Sequence, residues 1–176
     1  MIRLSLLALV ALLFPLIPAQ ATTPVITGPD ANNKSINING KGRYTLVLYT
    51  NPDLEEESRA ISLALDKYRG KSNFEFIRVV DLRGGVPPGM RSIVKGHISE
   101  EEVKETARLK KAGIKPGNPA PILPDFTGPT LDALGWEKIY DEVQVVLFDA
   151  KGKEVKRLSD CDPAEVVKLV QSAMGS

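Results

Sequence analysis

The run Tyr44–Ser58, YTLVLYTNPDLEEES, constrains the fold of this chain more than any other stretch. Its β-branched and aromatic start, Tyr44–Thr50, reads as a strand. Asn51 then stands at a helix N-cap, with Pro52 at the first helical position and Asp53, Glu55 and Glu56 in the first turn. Leu54, Ile61, Leu65 and Tyr68 recur at helical spacing, which predicts an amphipathic helix to about Arg69 with Gly70 as its stop. Phe74–Asp81, FEFIRVVD, is the next strand. Two strands separated by a helix most simply make a right-handed βαβ unit with parallel strands.

The flanks are read in the same way. Thr22–Asn33 is rich in Thr, Pro, Gly and Asn without a period, so residues 22–34 read as a flexible leader and 35–176 as one domain. Ser35–Asn39 alternates strictly and predicts a half-buried strand. Gly84-Gly85 and Pro87-Pro88 mark a loop, and Met90–Lys95 one or two helical turns. Ser99 with Glu102 forms a capping-box pattern for a helix that ends near Ala112-Gly113. Ile114–Thr130, crowded with proline, predicts an extended connection. Val143–Phe148 and Glu154–Leu158 flank a turn at Asp149–Gly152 as a hairpin. Asp162 caps the final helix, with Pro163 first, Glu165 closing a capping box, and Val166, Leu169, Val170 and Ala173 on its apolar face.

The beginning of the chain reads as an export signal. Arg3 supplies a positive n-region, Leu4–Ile17 an apolar stretch and Ala19-Gln20-Ala21 a small-x-small cleavage site, so residues 1–21 are expected to be removed. The apolar stretch is short and interrupted by Pro15 and Pro18, which disfavours a membrane span. This predicts a periplasmic or secreted protein with no stable membrane insertion after cleavage. Cleavage takes one of the 23 basic residues and none of the 22 acidic ones, so the remaining chain is charge-balanced. That balance argues against a nucleic-acid partner. One cysteine in an exported chain excludes a disulfide scaffold and leaves stability to packing.

The order βαβ, irregular insertion, ββα resembles the thioredoxin-like superfamily. TLVLYTNPDLEEES is similar to its first core strand and active-site helix, and VQVVLFDAKGKEVKRLSDCDPAEVVKLVQ to its C-terminal hairpin and helix. The segment Gly89-Met90-Arg91 and the VVLFDAKGK hairpin resemble small periplasmic proteins of the YtfJ type. The resemblance implies an α/β three-layer sandwich with a mixed central sheet and helices on both faces. It also implies a Cys-x-x-Cys pair where this chain has Leu54, Glu55, Glu56 and Glu57. Thiol–disulfide exchange needs an attacking thiolate and a resolving sulfur, and a single chain with only Cys161 lacks the second. The superfamily's cis-proline position falls at or near Val143, where a cis bond before a non-proline residue costs about 2.5–4 kcal/mol, so a trans bond is expected.

Four groups of residues remain as candidates. Asn51, Asp53, Glu55, Glu56, Glu57 and Val143 form a face that could hold a protein or peptide. The simpler reading of the acids is complementation of the helix dipole on a solvated face. Cys161, just before the last helix, reads either as a thiolate with lowered pKa or as a small apolar residue packing on Val166. His97 is alone, and no cofactor or metal is expected. Trp136 and Tyr140 read either as partner anchors or as packing over the sheet. The expected function is therefore a non-redox binding or accessory protein of the cell envelope. The alternative is an enzyme, acting through Cys161 in thiol chemistry or through a metal at the acidic cluster.

Overall fold

In a computed structural model the described residues are 25–40, 42–115, 121–136 and 141–175. The expected export signal lies outside them, as do residues 22–24 of the expected leader and Tyr140. The elements are β1 (Thr27–Pro29), β2 (Ser35–Asn37), β3 (Tyr44–Thr50), a 3-10 turn Pro52–Leu54, α1 (Glu55–Ala64), α2 (Asp66–Arg69) and β4 (Phe74–Asp81). After a second 3-10 turn at Pro88–Met90 come α3 (Arg91–Lys111), β5 (Ile122–Asp125), α4 (Pro129–Ala133), β6 (Gln144–Phe148), β7 (Glu154–Ser159) and α5 (Pro163–Met174). Five strands form one mixed sheet in the order β5-β4-β3-β6-β7. β3 and β4 pair in parallel, as do β4 and β5, while β6 and β7 are antiparallel additions.

Burial explains why the central strands carry apolar side chains on both faces. On one face Leu46, Leu48, Phe74, Phe76, Val145 and Leu147 pack against Ile61, Leu65 and Tyr68 and against Val166 and Val170 of α5. On the other, Val47, Tyr49, Ile77, Val79, Val146 and Phe148 are covered by Ile36, Ile38, Leu131, Leu134 and Trp136. The molecule is thus an α/β sandwich with helices on both faces of a mixed sheet.

Four local readings are corrected. Part of the expected leader is a strand: β1 pairs antiparallel with β2, and Gly28 lies so close to α4 that a Cβ there would meet Thr130 Oγ1 at 2.7 Å. The proline-rich connection contains β5, whose Pro124 is tolerated because the strand is a sheet edge. Ser99 caps nothing. α3 runs unbroken through it, and its hydroxyl donates to Asn32 Oδ1 instead. The helix expected to reach Arg69 is broken at Leu65, and Gly70 ends it with φ −87° rather than in the left-handed region. The C-terminal reading matches closely: Asp162 accepts from the Glu165 N–H at 2.8 Å.

Candidate functional site

The parallel strands end together. Open α/β sheets generally present ligand sites at the carboxyl ends of such strands, and here that end collects Thr50, Asp81 and Asp125. Asn51 follows β3 directly and accepts the Asp53 N–H at 2.8 Å, which turns the chain into Pro52–Leu54. The cap predicted for an α-helix therefore starts a 3-10 turn, and α1 begins only at Glu55.

Beside Asn51 is a cavity of about 290 Å³ walled by Tyr49, Asp53, Asp81 and Arg83. Tyr49 donates its hydroxyl to Asp81 Oδ2 at 3.2 Å. Arg83 clasps the same carboxylate, Nε at 3.0 Å and Nη2 at 2.8 Å, and adds its backbone N–H at 2.9 Å. Burial pushes the Tyr49 phenol up to about 12, with the Asp81 charge adding to it and the Asn51 side chain and Arg83 opposing. Burial alone would raise the Asp81 carboxyl, but the Arg83 hydrogen bonds and charge outweigh it and hold the group below its ordinary value. An acid held down in this way is a fixed counter-charge rather than a proton carrier poised near neutrality. Asp125 is likewise occupied, accepting the backbone N–H groups of Gly128, Thr130 and Leu131 at 2.7–3.0 Å.

The sequence-derived candidates are only partly brought together. Asn51 and Asp53 border that cavity, and Asn51 and Glu55 border a second of about 210 Å³ on the other side of Pro52. Glu56 and Glu57 are exposed on α1. Val143 is buried in the core, one residue beyond the Tyr49–Gln144 pair and so level with Thr50. The bond before it is trans, and its carbonyl accepts the Asp160 N–H at 3.1 Å. No three His, Cys, Asp or Glu side chains converge on a metal-sized site among the described residues.

Of the two readings of Cys161, the structure matches the packing one: it lies in the same buried core cluster as Val166. β7 brings it to the same end of the sheet as Asn51, but beneath the surface, where its thiol points at the Val143 carbonyl at 3.9 Å. Burial first, then the charges of Glu165, Asp162 and Asp160, push the thiol up to about 11. The helix N-terminus does not produce the lowered pKa that one reading expected. Trp136 is buried, its ring 5.7 Å from that of Tyr49, so it packs over the sheet rather than standing out as an anchor. His97 is exposed, 3.9 Å from Glu100.

Sequence reasoning missed Tyr49, Asp81, Arg83, Asp125 and Arg78. The signal was present for some of them. Asp81 and Asp125 close FEFIRVVD and ILPD, the position where parallel strands deliver site residues. Arg78 interrupts the Phe74, Phe76 parity of an otherwise apolar strand face.

No family model matches the chain, and no curated protein matches it. Solved structures do. A thiol:disulfide interchange protein of the thioredoxin family from Chlorobium tepidum superposes with a TM-score of 0.54 at 17% identity, covering 86% of this chain and 94% of that one. A thiol-disulfide oxidoreductase from Bacteroides fragilis gives 0.54 at 13% identity, covering 86% and 98%. StoA from Bacillus subtilis gives 0.51 at 15%, covering 85% and 98%. At such identities the likeness concerns architecture, and the chain has the thioredoxin-like fold.

Proposed function

We propose that this chain is an exported, non-redox accessory protein of a bacterial cell envelope. It holds a protein or peptide partner at the face built from Asn51, Asp53, Glu55, Glu56 and Glu57 beside Val143. The observation that carries the reading is the state of sulfur in the molecule. The β3–α1 junction has none, and the sole thiol is buried with its pKa near 11. Export rests on the Arg3, Leu4–Ile17 and Ala19-Gln20-Ala21 pattern. Among the described residues no helix is long and apolar enough to cross a membrane. Within the fold, the Gly89-Met90-Arg91 segment and the VVLFDAKGK hairpin favour the YtfJ type.

Cross-linking in the periplasm followed by affinity capture tests this reading. A discrete partner is expected with the wild-type chain and should be lost when Glu55, Glu56 and Glu57 are changed to Lys. Recovery of the same proteins with both chains would count against the face.

A second reading is favoured by the solved relatives that bear thiol–disulfide names. In it the Cys161 thiolate attacks a disulfide of a partner protein, forming a mixed disulfide with one partner sulfur as the partner's S–S bond breaks and its other sulfur leaves as a thiolate. That reading requires the buried thiol to become exposed and ionised.

A further inference from the structure

β4 carries an arginine where its helix-covered face calls for an apolar residue. Phe74 and Phe76 belong to the core on that face, and Arg78 takes the next place in the alternation. Its Nε is buried without a hydrogen-bond partner, and the guanidinium makes no ion pair among the described residues. Burial lowers its pKa, with the charge of Glu105 as the main opposing influence. A buried donor with no partner in a native fold calls for a physical reason, and the half-buried Arg78 guanidinium faces the cleft beside it.

Arg78 lines a cleft of about 500 Å³ between α1 and α3. Glu55 and Glu101 also line the 210 Å³ cavity that reaches Asn51 and His97, so the two spaces share residues and adjoin at Arg78. Most charges on the walls are already used. Lys104 holds Glu101 at 2.7 Å, and Arg108 holds Glu105 and Asp66, each at 2.7 Å. Arg59, Arg78 and Glu55 have no ion-pair partner among the described residues. The unused remainder is one positive charge, with Arg78 lining both spaces.

We propose that this cleft binds a carboxylate, seated on the Arg78 guanidinium with Arg59 at the rim. A planar guanidinium presents a fork of N–H donors that matches a carboxylate's two oxygens. One negative charge balances the unused remainder, whereas a dianion would be opposed by Glu55 and by the acidic side of the α3 pairs. Glu55 is placed to accept from an ammonium or amide group carried by the same ligand. The site shares Glu55 with the proposed partner face but does not depend on that reading, because its anchor is Arg78.

The test uses the Arg78 Nε–H resonance and the Ser62 and Leu63 amides of ¹⁵N-labelled protein at neutral pH and constant ionic strength. Sodium acetate, glycylglycine and sodium phosphate are titrated separately. Saturable shifts are expected with carboxylates, in the millimolar range. Saturation by acetate shows that the bare carboxylate suffices, and saturation by glycylglycine alone shows that a peptide-like ligand is required. Arg78→Met should weaken binding about tenfold or more, the scale of one charge-assisted hydrogen bond. It should fold, because it replaces an unpaired charge by an apolar chain of similar length. Arg59→Gln, at the exposed rim, should weaken binding several-fold and serves as the second variant should Arg78→Met not fold. Three results would overturn the proposal: no saturable response to either carboxylate, a stronger response to phosphate, or unchanged binding in the variants.

Discussion

At the scale of single residues, the reactivity of Cys161 separates the two functional readings. A thiol with its pKa near 11 instead of 9.0 holds about a hundredfold less thiolate at pH 8 than an ordinary cysteine. Ellman's reagent should therefore label native Cys161 about a hundredfold more slowly than the urea-unfolded chain. Fast labelling of the folded protein would remove the main support for a non-redox role. The sign of the linked stability also follows. The folded state keeps the proton longer than the unfolded state, so this group's contribution is intact below pH 9 and falls as pH rises from about 9 towards 11. Cys161→Ala should flatten the fall in urea midpoint over that window. Asn51 and Asp162 show how much a residue type can reveal alone: Asp162 caps α5 as read, and Asn51 caps a proline-started turn, though a 3-10 turn and not the α-helix expected.

At the scale of elements, α3 is held by polar links more than by an apolar face. Leu109 is its one buried side chain among the described residues, while charged and polar residues run along the rest. Arg69 of α2, almost fully buried, pairs with Glu105. Arg108 bridges Glu105 and Asp66, Glu102 accepts the edge N–H of Ile122 at 2.6 Å, and Lys95 and Ser99 bond to the β1–β2 turn. The Arg108 hydrogen bond, aided by Arg69, overcomes burial and holds Glu105 near 2, against 4.5 ordinarily. Its folded pKa is depressed, so its stabilisation is complete above pH 4.5 and is lost as pH falls towards 2. Glu105→Gln should cost about 2–3 kcal/mol at neutral pH. In paired urea titrations that deficit should shrink below pH 4.5 and vanish near pH 2. A deficit independent of pH would mean that the ion pairs do not hold the helix. The capping-box reading at Ser99 failed because α3 already runs through it, and its hydroxyl donates to Asn32 of the β1–β2 turn instead.

At the scale of the whole molecule, the N-terminal hairpin is part of the folded unit. Ile36 and Ile38 are buried against Val47, Tyr49 and Phe148, and Asn39 accepts the Ile26 N–H at 2.8 Å while donating to the Gly152 carbonyl at 3.4 Å. A chain that begins at Gly40 should lose about 3–6 kcal/mol, the worth of two buried isoleucines. That is a large share of the roughly 5–15 kcal/mol that holds a domain folded. The expected readouts are a lower urea midpoint and new binding of a hydrophobic dye at the uncovered face. An unchanged midpoint would show that the hairpin only rests on the surface. The strands β3, β4, β6 and β7 and the last helix were legible because each carries its own period and its own caps. β1 and β5 were not: three or four residues with proline or glycine carry too little local signal, and a partner strand supplies what they lack.

The sequence alone determined that this is an α/β chain with a βαβ start and a ββα end. It also determined that the junction after the first core strand has no sulfur, since composition and period are local properties that survive without coordinates. Only the tertiary structure decided where charges and thiols stand relative to water and to one another. It clasped Asp81 between Tyr49 and Arg83, sank Cys161 beneath Val143, and left Arg78 in the cleft between α1 and α3 with its Nε–H donating to no partner among the described residues. The physical reason is that desolvation and ion pairing depend on distances between residues far apart in the chain. Tyr49 and Asp81 are 32 positions apart, and no local pattern encodes their contact.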